Sequence, residues 1–245
     1  MSFKKTLCPK NSFELIRLGK NNDGGYLVDK NSFLNADELI SFGLNDDWSF
    51  EKESLNLNSK LKIQCFDDML DIKFLLKKIF FNFLSIFYKF KIRYIEHSLI
   101  NFISYIKLRN KISFKKKYIH YGDLNKIIRK STSKNIFLKI DIEGGEYRIL
   151  NELLINQDQI IGLVIEFHDI DLHQNKIYDF IESFKLELVH IHGNNYARND
   201  LNGDITVIEL TFGKFPKILE KDYKIPNKLD MPNNPRQSEV NLNFE

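Results

Sequence analysis

Apolar and polar positions along this chain switch repeatedly between a period of two and a period of 3.6. Ile136-Phe137-Leu138-Lys139-Ile140 is an apolar run broken by one cation. Asp141, Glu143 and Glu146 follow it around the pair Gly144-Gly145, and Ile149, Leu150, Leu153 and Leu154 then recur at helical spacing. This pattern predicts a strand, an acidic glycine turn and a helix. Further strands are predicted at Glu38–Gly43, Leu61–Phe66, Leu186–Ile191 and Ile205–Thr211, with a short strand and turn over Lys117–Leu124 and a helix over Leu124–Arg129. Ile160–Phe167 is almost continuously apolar, as suits a central parallel strand buried on both faces. Strands alternating with helices predict a doubly wound α/β sheet. Ligands of such sheets sit outside the carboxyl ends of the strands, where the acids of the Asp141 segment fall.

One region breaks the alternation. Ile72, Leu76, Ile79, Phe83, Phe87, Phe90 and Tyr94, then Ile95, Leu99, Phe102, Ile103 and Ile106, predict two amphipathic helices. Its longest uncharged run, Ile79–Tyr88, has ten residues and is too short to span a bilayer. Charge sets this region apart as well. From Asp71 to Lys117 there are twelve Lys/Arg against two acids, giving +10, so the remaining residues carry 3 − 10 = −7. A basic helical insert, residues 69–117, in an acidic body suggests an anionic partner. Three roles compete for it: a lid that doubles as a homodimer contact, a lid that holds an anionic substrate, and a helix pair lying on a membrane surface.

With 43% hydrophobic residues in 245, the chain supports a single elaborated domain over residues 1–245. Its tail, residues 216–245, holds four of the five prolines and is expected to wrap in extended form. Cys8 and Cys65 stand in unrelated contexts and suggest neither a disulfide framework nor a zinc site. The N-terminus has no apolar signal region, so a cytoplasmic location is expected. Only Gly43 marks the first strand end, and without a glycine-rich fingerprint a nicotinamide enzyme is disfavoured. No nucleic-acid-binding motif accompanies the basic residues, so nucleic acid is not an expected partner.

FLKIDIEGGEYRIL resembles the signature of the FkbM-type S-adenosylmethionine-dependent methyltransferases. DGGYLV, SFGLNDDWSFE, IEFHD, HIHGNNY and DMPNNP extend the likeness in the same order. The resemblance implies a Rossmann-like, mostly parallel sheet whose last strand, Ile205–Thr211, forms an antiparallel edge. It implies S-adenosyl-L-methionine as cofactor, with Asp23, Gly24, Gly25 and Tyr26 packed over it and Gly43, Asn45 and Asp46 beside it. Asp67 follows its strand directly, at the spacing from Gly43 of a ribose-binding acid, and the resemblance gives it that role. Asp123 is implied beside the adenine, although a helix N-cap explains it equally well.

Two polar clusters are expected to face one another across the carboxyl edge. Lys139, Asp141, Glu143 and Glu146 form one, and Glu166, His168, His192, Asn194 and Asn195 the other. Methyl transfer to an alcohol needs the acceptor aligned and its proton removed. His168 or His192 can supply the base. Alternatively Asp141, Glu166 and His168 hold Mg²⁺ or another divalent cation that acidifies the hydroxyl. Glu143 and the amides of Asn194 and Asn195 suit sugar hydroxyls. The expected activity is O-methylation of a carbohydrate, as a nucleotide-linked sugar or surface-glycan precursor. The rival expectation is a non-catalytic methyltransferase-like module that binds membrane or polyanion through the insert.

Overall fold

The protein is described by a computed structural model covering residues 2–89, 92–201 and 203–245. Phe90, one of the expected apolar positions, lies outside the described residues. After two short strands, Ser2–Phe3 and Ser12–Phe13, an antiparallel hairpin of Leu15–Leu18 and Tyr26–Asp29 forms around the Asn-Asp-Gly-Gly turn. The main elements follow: β1 (Glu38–Phe42), α1 (Ser49–Leu57), β2 (Lys62–Asp67), α2 (Ile72–Lys89), α3 (Ile92–Leu108), β3 (Ile112–Lys116) and α4 (Asp123–Lys130). They continue with β4 (Ile136–Ile140), α5 (Leu150–Asn156), β5 (Ile160–Phe167), α6 (Ile170–Ser183), β6 (Glu187–Gly193) and β7 (Ile208–Gly213).

One seven-stranded sheet runs in the order β3-β2-β1-β4-β5-β7-β6. The strands from β3 to β5 are parallel, and β7 is antiparallel to both its neighbours. Two expectations are corrected in detail. The antiparallel strand is not an edge: β7 inserts between β5 and β6, with all six residues buried, and β6 takes the edge. The third strand ends at Lys116, and residues 117–122 form the turn expected to contain strand.

Helices cover both faces, as a sheet buried on both sides requires. Leu124, Ile128, Leu153, Ile177 and Phe180 pack one face, from α4, α5 and α6. Trp48, Phe50, Leu75 and Tyr105 pack the other, from α1, α2 and α3. Gly162 in β5 exists for this packing, because a β-carbon there would lie 2.3 Å from the Phe137 ring. Helices α2 and α3 form an antiparallel hairpin whose register is fixed where Asn82 donates to Ser98 Oγ at 2.6 Å. The base of that hairpin is anchored where Trp48 Nε1 donates to Ser104 Oγ and stacks edge-on against Tyr105 and Phe114. The C-terminal segment pairs Ile218–Glu220 with Ser12–Phe13 and Asn243–Phe244 with Ser2–Phe3, and is otherwise irregular.

Candidate functional site

Strand register aligns the chemistry before any side chain is considered. Phe42 of β1 pairs with Phe66 of β2 and with Ile140 of β4, so Gly43, Asp67 and Asp141 emerge side by side. Ile140 pairs with Ile165 of β5, which brings Glu166 beside Asp141. A cavity of about 680 Å³ lies over this edge, within the range of small-ligand sites. Asp23, Gly24, Gly43, Asn45, Asp46, Asp67, Lys139, Asp141, Glu143, Glu166, His168 and Asn194 all line it. Sequence reasoning thus brought most of its candidates to one place.

The Gly43 end is built by Asp67. Its Oδ2 accepts from the backbone N–H groups of Leu44 and Asn45, at 2.9 and 2.8 Å. Its Oδ1 accepts from Met69 and Leu70, at 2.8 and 2.9 Å. A carboxylate offers about four lone-pair sites, so these four donors saturate it. Asp67 therefore ties the loops after β1 and β2 together. Asp68, beside it, is exposed, lines the cavity and keeps its acceptors. Asp46 is fixed from outside by Lys78 at 2.5 Å, and its carbonyl accepts from Asn101.

The opposite end is a carboxylate cluster around His168. Glu146 is fully buried, and its Oε1 accepts from the His168 N–H at 2.7 Å and lies 3.2 Å from Nδ1. This leaves Nε2 turned toward Glu143 at 3.4 Å, Glu166 at 3.9 Å and Asp141 at 4.0 Å. Burial pushes the imidazole down, but the Glu146 hydrogen bond and the charges of Glu166 and Asp141 outweigh it and bring His168 up to about 9. Asp141, Glu143 and His168 each offer one ligand atom, all within 4.8 Å of one another. The cation set expected from sequence had Glu166 in place of Glu143. Glu166 is committed elsewhere: Oε1 accepts from Asn194 at 2.8 Å, and Oε2 lies 2.9 Å from the Tyr26 hydroxyl.

Beneath the cavity floor Tyr26 joins the two acids. Its hydroxyl lies 2.9 Å from both Asp141 Oδ2 and Glu166 Oε2. One hydroxyl hydrogen serves one acceptor. Burial, then the neighbouring charges of Asp141 and Glu209, push Glu166 well above the usual carboxylate range, and the Tyr26 hydroxyl is the donor within reach of both acids. Lys139 lies over the Tyr26 ring and donates to the Gly43 carbonyl at 2.6 Å. Burial disfavours its charge, yet Asp141, Glu51 and Glu166 raise its pKa.

Several expected site residues lie elsewhere. Tyr26 is buried behind the wall and does not line the cavity. His192 is held between Glu209 at 3.2 Å and Glu239 at 2.8 Å, with both ring nitrogens engaged and only 6% exposure. The antiparallel register pairs it with Glu209, one strand further from the cavity than Glu166. Asn195 donates to tail carbonyls, including that of Ser238 at 3.0 Å. Asp123 accepts from Lys117 and from the His120 N–H. All three stand outside the cavity lining because folding partners claim their polar atoms. Asp68, ranked below Asp67 from sequence, lines the cavity, and sequence reasoning missed Met69, Tyr118, Ile119 and Tyr196 as lining residues. Their loops carry no periodicity that marks them.

A second concavity opens alongside β2, β3 and α4. It is lined by Lys62, Arg109, Lys111, Lys115, Lys117, Lys126 and Lys130 and by no acid. Lys117 and Phe66 line both cavities.

The strand order and the acidic strand ends define a methyltransferase-type α/β fold. Residues 80–208, 129 of the 245, match the family described as the methyltransferase FkbM domain, and the chain belongs to that family. The match contains FLKIDIEGGEYRIL, IEFHD and HIHGNNY and most of the helical insert, whereas DGGYLV and SFGLNDDWSFE precede it. The chain is similar to solved methyltransferase structures at low identity. One is a fibrillarin/Nop5p complex, at 10% identity over 74% of this chain and 73% of that one, TM-score 0.41. Another is precorrin-6y C5,15-methyltransferase from Geobacter metallireducens, at 13% over 75% and 85%, TM-score 0.41. A third is Aeropyrum pernix fibrillarin with natively bound S-adenosyl-L-methionine, at 6% over 74% and 68%, TM-score 0.42. No curated protein matches the chain.

Proposed function

We propose that this methyltransferase transfers the methyl group of S-adenosyl-L-methionine to a carbohydrate hydroxyl. The observation that carries the reading is one cavity that runs from Asp68 past the adjoining Gly43 and Asp141 to His168. At the first end the cofactor ribose is held by Asp68, whose carboxylate is open, while the saturated Asp67 shapes the loop. Tyr118 and Ile119 supply the wall for the adenine. At the second end His168 is the base. Glu146 on Nδ1 orients the ring and stabilises its charged form, as a carboxylate does for a catalytic histidine. His168 must first lose the proton that the surrounding carboxylates favour. Its Nε2 then takes the acceptor's proton as the oxygen attacks the sulfonium methyl in line. Tyr196, 66% exposed at the rim, offers a face for a sugar ring, and Asn194 borders the same wall.

The all-basic concavity supports a phosphate-bearing acceptor, a nucleotide-linked sugar or glycan precursor, because it continues from the cavity at Lys117 and contains no carboxylate to repel phosphate. A second reading of the His168 end follows from its three clustered donors. Asp141, Glu143 and His168 would hold a divalent cation, and Glu146 behind His168 is the outer partner such ligands commonly have. The cation would lower the acceptor hydroxyl's pKa.

Calorimetric titration with S-adenosylhomocysteine tests the cofactor assignment, and absence of heat under saturating conditions rejects it. A mass-spectrometric screen of nucleotide sugars and glycan precursors for a gain of one methylene tests the acceptor. Repeating a positive reaction with a chelator separates the two readings: loss of turnover selects the cation, and retention selects His168 as base.

A further inference from the structure

We propose that the outer face of the α2–α3 hairpin docks on an anionic lipid surface. The hairpin turns its inner face to the body through Leu75, Tyr105 and the Trp48 indole. Among the described residues its outer face carries exposed apolar side chains. Leu76 and Phe80 recur along α2 at 49% and 57% exposure, with Phe81 beside them at 64%. Ile100 and Ile103 on α3 add 65% and 51%. Single exposed apolar residues are ordinary, but an exposed set on adjoining helices marks a contact surface.

Charge decides between the occupants. Residues 72–108 hold seven Lys/Arg and one acid, Glu96, a balance of +6. Lys73 and Lys77 stand exposed on α2, and a second copy would bring an equally basic hairpin against it, so the two would repel. An anionic bilayer attracts it instead. Phenylalanine and isoleucine interleaved with lysine is the composition of helices that lie in the interface without crossing it. No helix among the described residues is long and apolar enough to cross.

The hairpin also borders the cavity. Lys78 and Asn101 both bind Asp46, whose side lines the cofactor end. Docking would hold the cavity close to lipid headgroups, and under the reading above it would favour an acceptor borne on a lipid phosphate. That last step rests on the proposed activity, whereas the docking itself does not.

The full chain is mixed with vesicles of phosphatidylcholine alone or of phosphatidylcholine and phosphatidylglycerol in equal parts, then sedimented. The expected result is at least tenfold more protein on the anionic vesicles and release in salt of about 1 M, where screening shrinks to about 3 Å. Phe80→Ser with Phe81→Ser, and separately Lys73→Glu with Lys77→Glu, should each weaken binding about tenfold. Both pairs are exposed, and unchanged S-adenosylhomocysteine binding verifies the fold. No sedimentation with anionic vesicles overturns the proposal. So does a dimer in sedimentation velocity that the Phe80 and Phe81 pair abolishes, because that face would then be covered by a second copy. Vesicle binding without S-adenosylhomocysteine binding rejects the methyltransferase activity and leaves the docking standing.

Discussion

Gly43 passes so close to Asp141 that a β-carbon on residue 43 would lie 1.5 Å from the Asp141 carbonyl oxygen. The same glycine sits at φ +74, where side chains are strained, so the end of β1 has two independent reasons to carry no side chain. Gly43→Ala should therefore destabilise the protein by about 3 kcal/mol or more and abolish cofactor binding. Chemical denaturation and titration with S-adenosylhomocysteine check both. A variant with wild-type stability would mean that β1 and β4 do not approach this closely.

The two acids after β2 should behave differently. Asp67→Asn places an amide NH2 against two of the four backbone N–H groups, at a cost of roughly 2–4 kcal/mol in stability. Asp68→Asn should leave stability unchanged and weaken S-adenosylhomocysteine binding about tenfold. The opposite outcome, a stable Asp67→Asn with lost affinity, would return the ribose to Asp67.

Tyr26→Phe removes the one hydroxyl between Asp141 and Glu166. The two carboxyl oxygens then face one another without a donor, at a cost of about 1–3 kcal/mol. Thermal unfolding of the variant checks this, and a change below about 0.5 kcal/mol would show that the bridge contributes little.

His192 gives the fold a pH dependence. Burial lowers its pKa, but Glu209 and Glu239 more than compensate and raise it from 6.5 to about 10. Because the folded value lies above the unfolded one, the stabilisation is complete below about pH 6.5 and is lost as pH rises through about 10. Stability should decline across that window in the wild type, and the decline should be smaller in His192→Gln. That variant also leaves Glu209 and Glu239 without their cation and should unfold about 3 kcal/mol more easily at pH 6. Equal slopes in the two proteins would assign the pH dependence to other groups.

Much of the site was legible because strand ends are legible. The run into Asp141, the IEF segment before His168 and the short strand before Asp67 each end in the residue that reaches the cavity. Parallel register then aligns them without further information from side chains. What was not legible concerns which groups were already occupied. His192 and Glu166 differ little as sequence features, yet one is enclosed by the tail through Glu239 and the other lines the cavity. Asn195 likewise serves tail carbonyls from residues some forty positions later.

The chain's own periodicity determined the alternation of strands and helices, the acidic carboxyl edge and the presence of a basic helical insert, because these depend on neighbours within a few residues. Tertiary structure alone decided that β7 inserts between β5 and β6. It also decided that Asp67 is saturated while Asp68 is open, that Glu143 rather than Glu166 stands with Asp141 and His168, and that Leu76, Phe80 and Phe81 of the insert stay exposed. Each of these depends on which distant group reaches a polar atom or apolar face first, and spacing along the sequence carries no record of that competition.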